Sequence, residues 1–296
     1  MYAATGPVGT PLYRAILTLT VANILALIIY LWASHISAIE GNAIKVIFLA
    51  SGVTMYVYEL HSPRTNWPPV RMWQWRAFSF TTVQALIVYY SGSLWDNWLL
   101  EKRPWDIGVN GSLAGTLVAF LVMTLVSYWQ HRIKHMIPFL WRYLHQIHHS
   151  PRRLELLTSF YRNPLEIFLN MFIMSAVLYL VVGSTRLIAA DTVLLLGLAD
   201  MFYHWNVRTP RWLGYLIQRP EAHCVHHCQG VHAYNFGDLA IWDMLFGTFR
   251  NPLDFRGECG FPGNGEEQLL EMVIGHDMSF GKHLYEAVRT KTTDTH

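Results

Sequence analysis

Residues 112–135 read SLAGTLVAFLVMTLVSYWQHRIKH, an apolar run that ends in two histidines four positions apart. About 20 apolar residues are enough to cross a ~30 Å hydrocarbon core as an α-helix, so residues 112–130 predict a membrane span. On such a helix, His131 and His135 share one face, where side chains four apart are close enough to bind one metal ion. The stretch therefore predicts a membrane helix that carries metal ligands at its end.

Five more apolar stretches have comparable length, at 14–33, 43–59, 77–92, 165–183 and 187–206. The composition agrees, because 52% of the residues are hydrophobic and only 14% are charged. The 77–92 stretch is short and contains Gln84, so a tilted or re-entrant element is an alternative there. The first stretch lacks the flanking features of a removable signal peptide, and we expect it to remain as an anchor. We predict an all-α fold, a multi-span transmembrane helical bundle.

Lysine and arginine side chains are distributed unevenly between the predicted loops. With the N-terminus inside, 18 of the 22 lie on the inner side. The four on the outer side are Lys45, Lys102, Arg103 and Arg186. This asymmetry predicts that the polar regions 131–164 and 207–296 are cytoplasmic. Three cysteines give no disulfide framework, which agrees with a reducing compartment, and the absence of a Lys/Arg block argues against nucleic acid as a partner.

Two further histidine arrays follow on the predicted cytoplasmic side. HQIHH contains His145, His148 and His149, and HCVHH contains His223, His226 and His227. Separations of three and four residues allow one helical turn to offer three imidazoles. Pro138 and Ser150-Pro151 should bound the first helix, while Pro220 and Gly230 should bound the second. We therefore predict a histidine-rich helical cap on the membrane bundle.

His204 is a ninth candidate ligand, at the end of the last predicted span, with Asp200 one turn earlier. An ionisable pair at this depth needs a partner, so both side chains should face the bundle interior or the site. Asp200 is either a ligand, and thus a catalytic candidate, or the carboxylate that orients an imidazole. The other histidines are interpreted as ordinary hydrogen-bonded residues: His35, His61, His232, His276, His283 and His296.

Eight or nine imidazoles are too many for one tetrahedral site, so the arrays predict a dinuclear metal site. Imidazole binds iron, zinc, copper and nickel, and the sequence alone does not name the ion. A zinc hydrolase would need a general base such as the glutamate of HExxH, which these arrays do not offer. The sequence also contains no GxSxG, P-loop or dinucleotide-binding motif in a fitting context. These observations favour redox chemistry, and therefore iron.

The succession of HRIKH, LHQIHHSP, HCVHH and YNFGDLAIWDMLFGTF, from about Gly111 to Phe249, resembles the fatty acid hydroxylase and sterol desaturase superfamily. The resemblance implies a membrane protein with two iron ions that uses O₂ to hydroxylate or desaturate lipids or sterols. It also implies that the metal ligands are His131, His135, His145, His148, His149, His223, His226 and His227, with His204 as the ninth. Two departures are Asn163, where relatives often have histidine before Pro-Leu-Glu, and Asp200 with His204 in place of a second HxxxH.

We therefore expect an O₂-dependent di-iron hydroxylase of a lipid or sterol-like substrate, with zinc also fitting the site in isolated protein. A desaturase of the same substrates is the nearer alternative, and a membrane zinc-binding or transport protein is the second. A transporter should have ligands along its spans, whereas eight of the nine candidates lie at or beyond the cytoplasmic ends. The predicted regions are 1–110 as membrane-spanning, 111–250 as catalytic, and 251–296 as a cytoplasmic tail region.

The electrons for this chemistry must come from a separate partner, either a ferredoxin or a small haem protein with its reductase. The sequence itself contains no HPGG-type haem segment and no CxxC-rich pattern. Arg152 and Arg153 could dock an acidic carrier, although ordinary positive-inside charge explains them more simply. Cys224 and Cys228 are rotated away from the histidine face and are interpreted as packing residues. The WDMLFGTF segment is interpreted as packing within the cap.

Overall fold

The computed structural model describes residues 42–107, 113–231 and 233–279, and within these ranges the chain is helical and has no β-strand. The predicted span at 14–33 lies outside the described residues. The helices are α1 (Asn42–His61), α2 (Trp73–Leu100), α3 (Leu113–Met136), α4 (Pro138–Leu140), α5 (Gln146–His149), α6 (Pro164–Ala176), α7 (Arg186–His204), α8 (Pro220–His226), α9 (Ala240–Leu245) and α10 (Leu269–Val273). Segments Trp141–His145 and Val177–Val182 are π-helical, and Leu156–Phe160, Arg211–Tyr215 and Gly265–Glu267 are short 3₁₀ turns.

Within the described residues, three helical stretches are long and apolar enough to cross a membrane: Leu113–Met136, Pro164–Val182 and Arg186–His204. Their outer faces carry large apolar side chains that no other part of the described chain covers, such as Leu117 and Leu121 of α3. Apolar faces of this kind are stable in lipid and unfavourable in water. The predicted spans at 112–130, 165–183 and 187–206 thus correspond to these three helices.

The stretch predicted at 77–92 lies within α2, a continuous helix of 28 residues. Gln84 does not interrupt the helix, because a side-chain amide leaves the backbone hydrogen bonds intact. α2 is not among the described helices that have both the length and the hydropathy of a membrane span. α2 lies along α6, where Trp95 contacts Phe168 and Phe172 with ring centroids 5.4 and 5.0 Å apart. The stretch at 43–59 likewise forms a helix, α1.

The local signals in the cap correspond closely to its helix boundaries. α3 ends at Met136, and Pro138 occupies the first turn of α4. Pro220 similarly starts α8 after the extended residue Arg219. α8 ends at His226, earlier than the expected boundary at Gly230, which adopts a left-handed conformation (φ 75°) in the following turn.

A buried aromatic cluster joins the cap to the membrane helices. Trp73 of α2 contacts Tyr161, and Trp141 contacts Phe261, with ring centroids 5.4 and 6.3 Å apart. The described part of the C-terminal region packs onto the cap through this cluster. Its Glu266 carboxylate accepts hydrogen bonds from the Arg76 guanidinium at 2.6 Å and the Arg152 amide at 2.7 Å. Residues 251–279 therefore support the cap.

Gly183 ends the π-helical segment after α6 in a left-handed conformation (φ 72°), against the side chain and carbonyl oxygen of Trp105. A Cβ at this position would lie 2.7 Å from that oxygen. Gly247 has nearly the same conformation (φ 75°) with nothing within 4 Å of an added Cβ. Substitution of Gly247 by alanine would therefore cost only the left-handed backbone conformation, whereas the same substitution at Gly183 would add steric overlap with Trp105.

We predict that Gly247→Ala lowers the free energy of unfolding by about 1 to 2 kcal/mol, the usual cost of a left-handed non-glycine residue. Gly183→Ala should cost at least about twice as much, because backbone atoms must also move. Denaturant titration of the detergent-solubilised full chain measures both. Equal losses in the two variants would contradict the described packing of Trp105 against Gly183.

Candidate metal centre

The nine candidate histidines gather in two groups, and the candidate ligand atoms within each group lie within 4.8 Å of one another. The five-histidine group consists of His131, His135, His145, His149 and His226, and the four-histidine group consists of His148, His204, His223 and His227. All but His131, which is half-buried, are buried. The structure thus brings together every histidine that the sequence singled out as a ligand and divides the set in two.

The division separates sequence neighbours. In HQIHH, His148 joins the four-histidine group and His149 the five-histidine group, with their ring planes at 90°. In HCVHH, His226 and His227 are divided in the same way, with ring planes at 78°. Adjacent helical residues project about 100° apart, so each HH pair can serve two sites. Each array does offer three imidazoles, as the spacing predicted, but the three are divided between the two groups.

The distances between imidazole nitrogens fit shared metal ligation. The Nε2 atom of His223 is 3.1 Å from the Nε2 atoms of both His204 and His227, and His204 Nε2 is 3.3 Å from His148 Nε2. Two nitrogens that each lie about 2.1 Å from one ion are roughly 3.0 to 3.4 Å apart in octahedral or tetrahedral geometry. In the five-histidine group, His149 and His226 show the same 3.1 Å spacing.

Unpartnered nitrogens provide a second indication of metal binding. The Nε2 atoms of His131 and His145 are buried and have no hydrogen-bond partner. A buried polar atom without a partner costs about 1 to 3 kcal/mol, which a metal–nitrogen bond would more than offset. The two groups therefore fit metal ions by donor chemistry as well as by spacing.

Oxygen atoms fix the tautomer of several imidazoles. The Nδ1 hydrogens of His131, His204 and His226 are donated to the carbonyl oxygens of Phe236, Asp200 and Tyr234, at 2.9, 2.8 and 2.7 Å. An imidazole that donates from Nδ1 in its neutral form presents a lone pair at Nε2. These contacts orient the Nε2 atoms toward the centres of the two groups.

Burial also keeps the cap imidazoles neutral. It lowers the pKa of His145, His148 and His223, because an imidazolium loses its hydration inside the protein. For His148 and His223, nearby imidazoles contribute in the same direction, and for His145 the Glu166 carboxylate opposes the effect. Neutral imidazole is the form that binds a metal.

Glu166 is a functional residue that the sequence interpretation missed. Its carboxylate is 1% exposed and accepts hydrogen bonds from Lys134 Nζ at 2.7 Å and from His145 Nδ1 at 2.9 Å. Lys134 also donates to Asn170 at 3.0 Å. Glu166 thus orients one imidazole of the five-histidine group while pairing with a buried cation. The available signal was an acidic residue in the first turn of an apolar span, two positions after Pro164.

Asp200 lies outside both histidine groups. Its two carboxylate oxygens each lie 2.7 Å from Arg162 Nη2, and one is 3.2 Å from His204 Nδ1. Arg162 is the cation that balances this carboxylate in the interior. Of the two roles predicted for Asp200, the geometry favours orientation of His204 over direct ligation.

The WDMLFGTF segment contains Asp243, whose side chain binds the loop that carries Phe236, the residue whose carbonyl oxygen contacts His131. Asp243 accepts hydrogen bonds from the backbone amides of Phe236 and Gly237, at 2.8 and 2.9 Å, and from the Thr248 hydroxyl at 2.6 Å. Burial raises the pKa of Asp243 to about 6, against the opposing effect of these hydrogen bonds. The loop is thereby fixed with the Phe236 carbonyl facing His131 Nδ1, which agrees with a packing role for the segment.

The remaining candidates lie away from the centre or outside the described residues. His61 and His276 are near the surface, where they contact the Val57 carbonyl and the Glu271 carboxylate. His35, His232, His283 and His296 lie outside the described residues. All three cysteines are free thiols, and Cys224 packs with Leu154 and Cys259 in a buried cluster, as the packing interpretation predicted.

Comparison with known proteins gives consistent results. Residues 116–248 match the family described as Fatty acid hydroxylase. Alkylglycerol monooxygenase of Danio rerio is 29% identical over 160 residues, which cover 53% of this chain and 34% of the relative, and the Homo sapiens enzyme matches to the same extent. A very-long-chain aldehyde decarbonylase of Oryza sativa subsp. indica is 32% identical over 140 residues, covering 45% of this chain and 53% of the relative. No solved structure matches the chain.

The matches are partial in length. The chain spans about a third of the length of the alkylglycerol monooxygenases and about half of the aldehyde decarbonylase. The family match at 116–248 contains all nine histidines of the two groups. The similarity therefore concerns the region that forms the candidate metal centre.

We predict that the purified chain binds about two metal ions, one in each histidine group. His135→Ala and His227→Ala, which remove one ligand from different groups, should each lower the content to about one ion. His276→Ala removes a surface histidine and should leave the content unchanged. Metal analysis of protein purified under identical conditions measures all three, and a parallel loss of both ions in each ligand variant would contradict two separable groups.

We further predict that Glu166→Gln destabilises the protein by about 3 kcal/mol, because it leaves the buried Lys134 cation without its counter-charge. The double variant Glu166→Gln with Lys134→Met should recover part of this loss by removing the cation as well. Denaturant unfolding of detergent-solubilised protein measures both. If the double variant is less stable than Glu166→Gln alone, the ion pair does not account for the effect.

Proposed function

We propose that this chain, whose residues 116–248 belong to the fatty acid hydroxylase superfamily, is an oxidoreductase that uses O₂ and two iron ions to hydroxylate a C–H bond of a lipid or sterol-like substrate. The likeness to alkylglycerol monooxygenases supports the reaction class. The two histidine groups support the cofactor, with neutral imidazoles as its ligands. Iron supplies the redox chemistry when bound, and zinc fits the same donors in isolated protein.

One cavity of about 190 Å³ is the observation on which the proposal mainly rests. Its lining includes histidines of both groups, among them His131 and His148. Part of its wall away from the histidines is formed by apolar side chains such as Met171, Val193 and Leu196. An apolar chain in this cavity would lie in contact with both candidate metal sites.

The protein's own residues would prepare this site in three ways. The Nδ1 contacts would hold the imidazoles in one orientation, so that the metals keep a fixed geometry. The apolar wall would exclude bulk water from the substrate chain. The ion pairs of Glu166 with Lys134 and of Asp200 with Arg162 would balance charge around the centre without adding negative ligands to it.

Hydroxylation and desaturation both begin with removal of one hydrogen atom, and they differ in whether a second hydrogen is removed. The monooxygenase relatives favour hydroxylation, and desaturation is the alternative outcome for the same substrate. A zinc-binding or transport role is less well supported, because it requires no apolar cavity beside the histidines. The same cavity is the natural place for a substrate that enters from the membrane.

Localisation and electron supply form part of the proposal. We expect an integral, multi-pass membrane protein whose histidine cap faces the cytoplasm, because the six predicted spans would assign 18 of the 22 lysines and arginines to that side. The electrons would come from a ferredoxin, or from a small haem protein with its reductase. Residues 1–110 and 251–296 would serve as the membrane-spanning and cytoplasmic regions around the catalytic region 111–250.

The test is a single-turnover assay on the iron-loaded full chain in lipid nanodiscs, with chemical reductant and isotopically labelled O₂. We predict a lipid product heavier by one labelled oxygen atom, identified by mass spectrometry. His148→Ala and His226→Ala, one from each group, should abolish it, while His61→Ala should not. A product lighter by two hydrogens would favour the desaturase, and turnover that survives both ligand variants would contradict the proposal.

A further inference from the structure

Two glutamines from different helices line the same cavity as the histidines. Gln84 lies on α2, one turn before Val88, and Gln130 lies on the candidate membrane helix α3, directly before His131. Neither belongs to the histidine groups. A polar side chain among apolar helices is costly unless it faces a partner or a functional cavity, and both of these face the cavity.

Each glutamine presents a buried atom without a hydrogen-bond partner. For Gln84 this atom is the acceptor Oε1, and for Gln130 it is the donor Nε2. Folded proteins leave few buried polar atoms unpaired, and each specific case calls for an explanation. A ligand group that donates one hydrogen bond and accepts another would satisfy both.

The charged groups on this side of the cavity are paired with one another. Lys134 Nζ donates to Glu166 and Asn170 at 2.7 and 3.0 Å, so its charge is balanced within the protein. The neighbouring wall formed by Met171 and Met174 is apolar. Among the neutral side chains other than histidine that line the cavity, the buried atoms without a partner are Gln84 Oε1 and Gln130 Nε2.

We propose that Gln84 and Gln130 form a subsite for a hydroxyl group on an amphiphilic lipid substrate. The hydroxyl donates its hydrogen to Gln84 Oε1 and accepts a hydrogen bond from Gln130 Nε2. Because Gln130 precedes His131, the subsite holds the polar end of the lipid near the histidines, so that C–H bonds close to the hydroxyl are presented for oxidation. The role of this subsite in catalysis rests on the proposed function. The binding of a hydroxyl group to the two glutamines does not depend on it.

Three probes with the same chain test the subsite in nanodiscs: hexadecan-1-ol, hexadecyl methyl ether and hexadecane. The alcohol can donate and accept a hydrogen bond, the ether can only accept one, and the alkane can do neither. Competition against radiolabelled hexadecan-1-ol gives their relative affinities for the full chain. We expect the order alcohol, ether, alkane, with about a fivefold step for each hydrogen bond.

Two variants should remove these steps separately. Gln84→Leu should make the alcohol and the ether equal, because only the alcohol donates to Gln84. Gln130→Leu should weaken both relative to the alkane and keep a difference between them. Gln74→Leu, the same change at an exposed position of α2, is the matched control and should keep the full order. Unchanged binding of hexadecane in every variant verifies that the cavity is still folded.

Binding is measured without reductant or O₂, so the subsite and the oxygenase proposal can fail independently. Equal affinity for alcohol and alkane in the unmodified chain, or a preference for the alcohol over the ether that survives Gln84→Leu, would overturn the subsite. The expected pattern without any oxidised product in the turnover assay would support the subsite and contradict the oxygenase alone.

Discussion

The gathering of nine imidazoles in one place, eight of them buried, is the constraint on which the rest of the structure depends. Each ring must be kept neutral, oriented at Nδ1 and given a partner at Nε2, all within a helical protein of mostly apolar composition. Burial provides the first requirement, backbone carbonyls such as that of Phe236 provide much of the second, and two metal ions would provide the third. Removing the metals would leave a cluster of close, partly unpartnered nitrogens that the surrounding packing would have to stabilise alone.

The fold can be understood as the support for this cluster. The end of α3 supplies His131 and His135, the end of α7 supplies His204, and the two cap segments supply the rest. Two carboxylates lie beside the cluster without entering it: Glu166 contacts His145 and pairs with Lys134, and Asp200 contacts His204 and pairs with Arg162. The aromatic cluster of Trp73, Trp141, Tyr161 and Phe261 then holds the cap against the membrane helices. The histidines thus line the cavity, the carboxylates lie beside the histidines, and the aromatic cluster packs between the cap and the helices.

Periodicity and spacing predicted much of this arrangement, because they report local geometry. Apolar length located the three helices that could cross a membrane, and the separations of three and four placed the histidines on common helix faces. The division of His148 from His149 was not predicted, since it depends on which neighbouring helix each ring meets. The partner of Glu166 was not predictable either, because Lys134 lies 32 positions away in the chain. In the sequence, Gln84 indicated only that the stretch at 77–92 is less apolar than the other spans. Its position in the cavity that it shares with Gln130 depends on how α2 and α3 are arranged in the fold, which the sequence does not report.

In the arrangement that we propose, imidazole nitrogens in two groups are the protein's only metal ligands, and the neighbouring thiols and carboxylates stay outside the centre. X-ray absorption at the iron edge of the iron-loaded full chain would distinguish these ligand types. We expect protein ligands dominated by imidazole nitrogen, with the multiple-scattering signature of the rings and no sulfur. A sulfur scatterer at the distance of a metal–thiolate bond, about 2.3 Å, would place Cys224 or Cys228 in the centre and would rule out a centre held by imidazole alone.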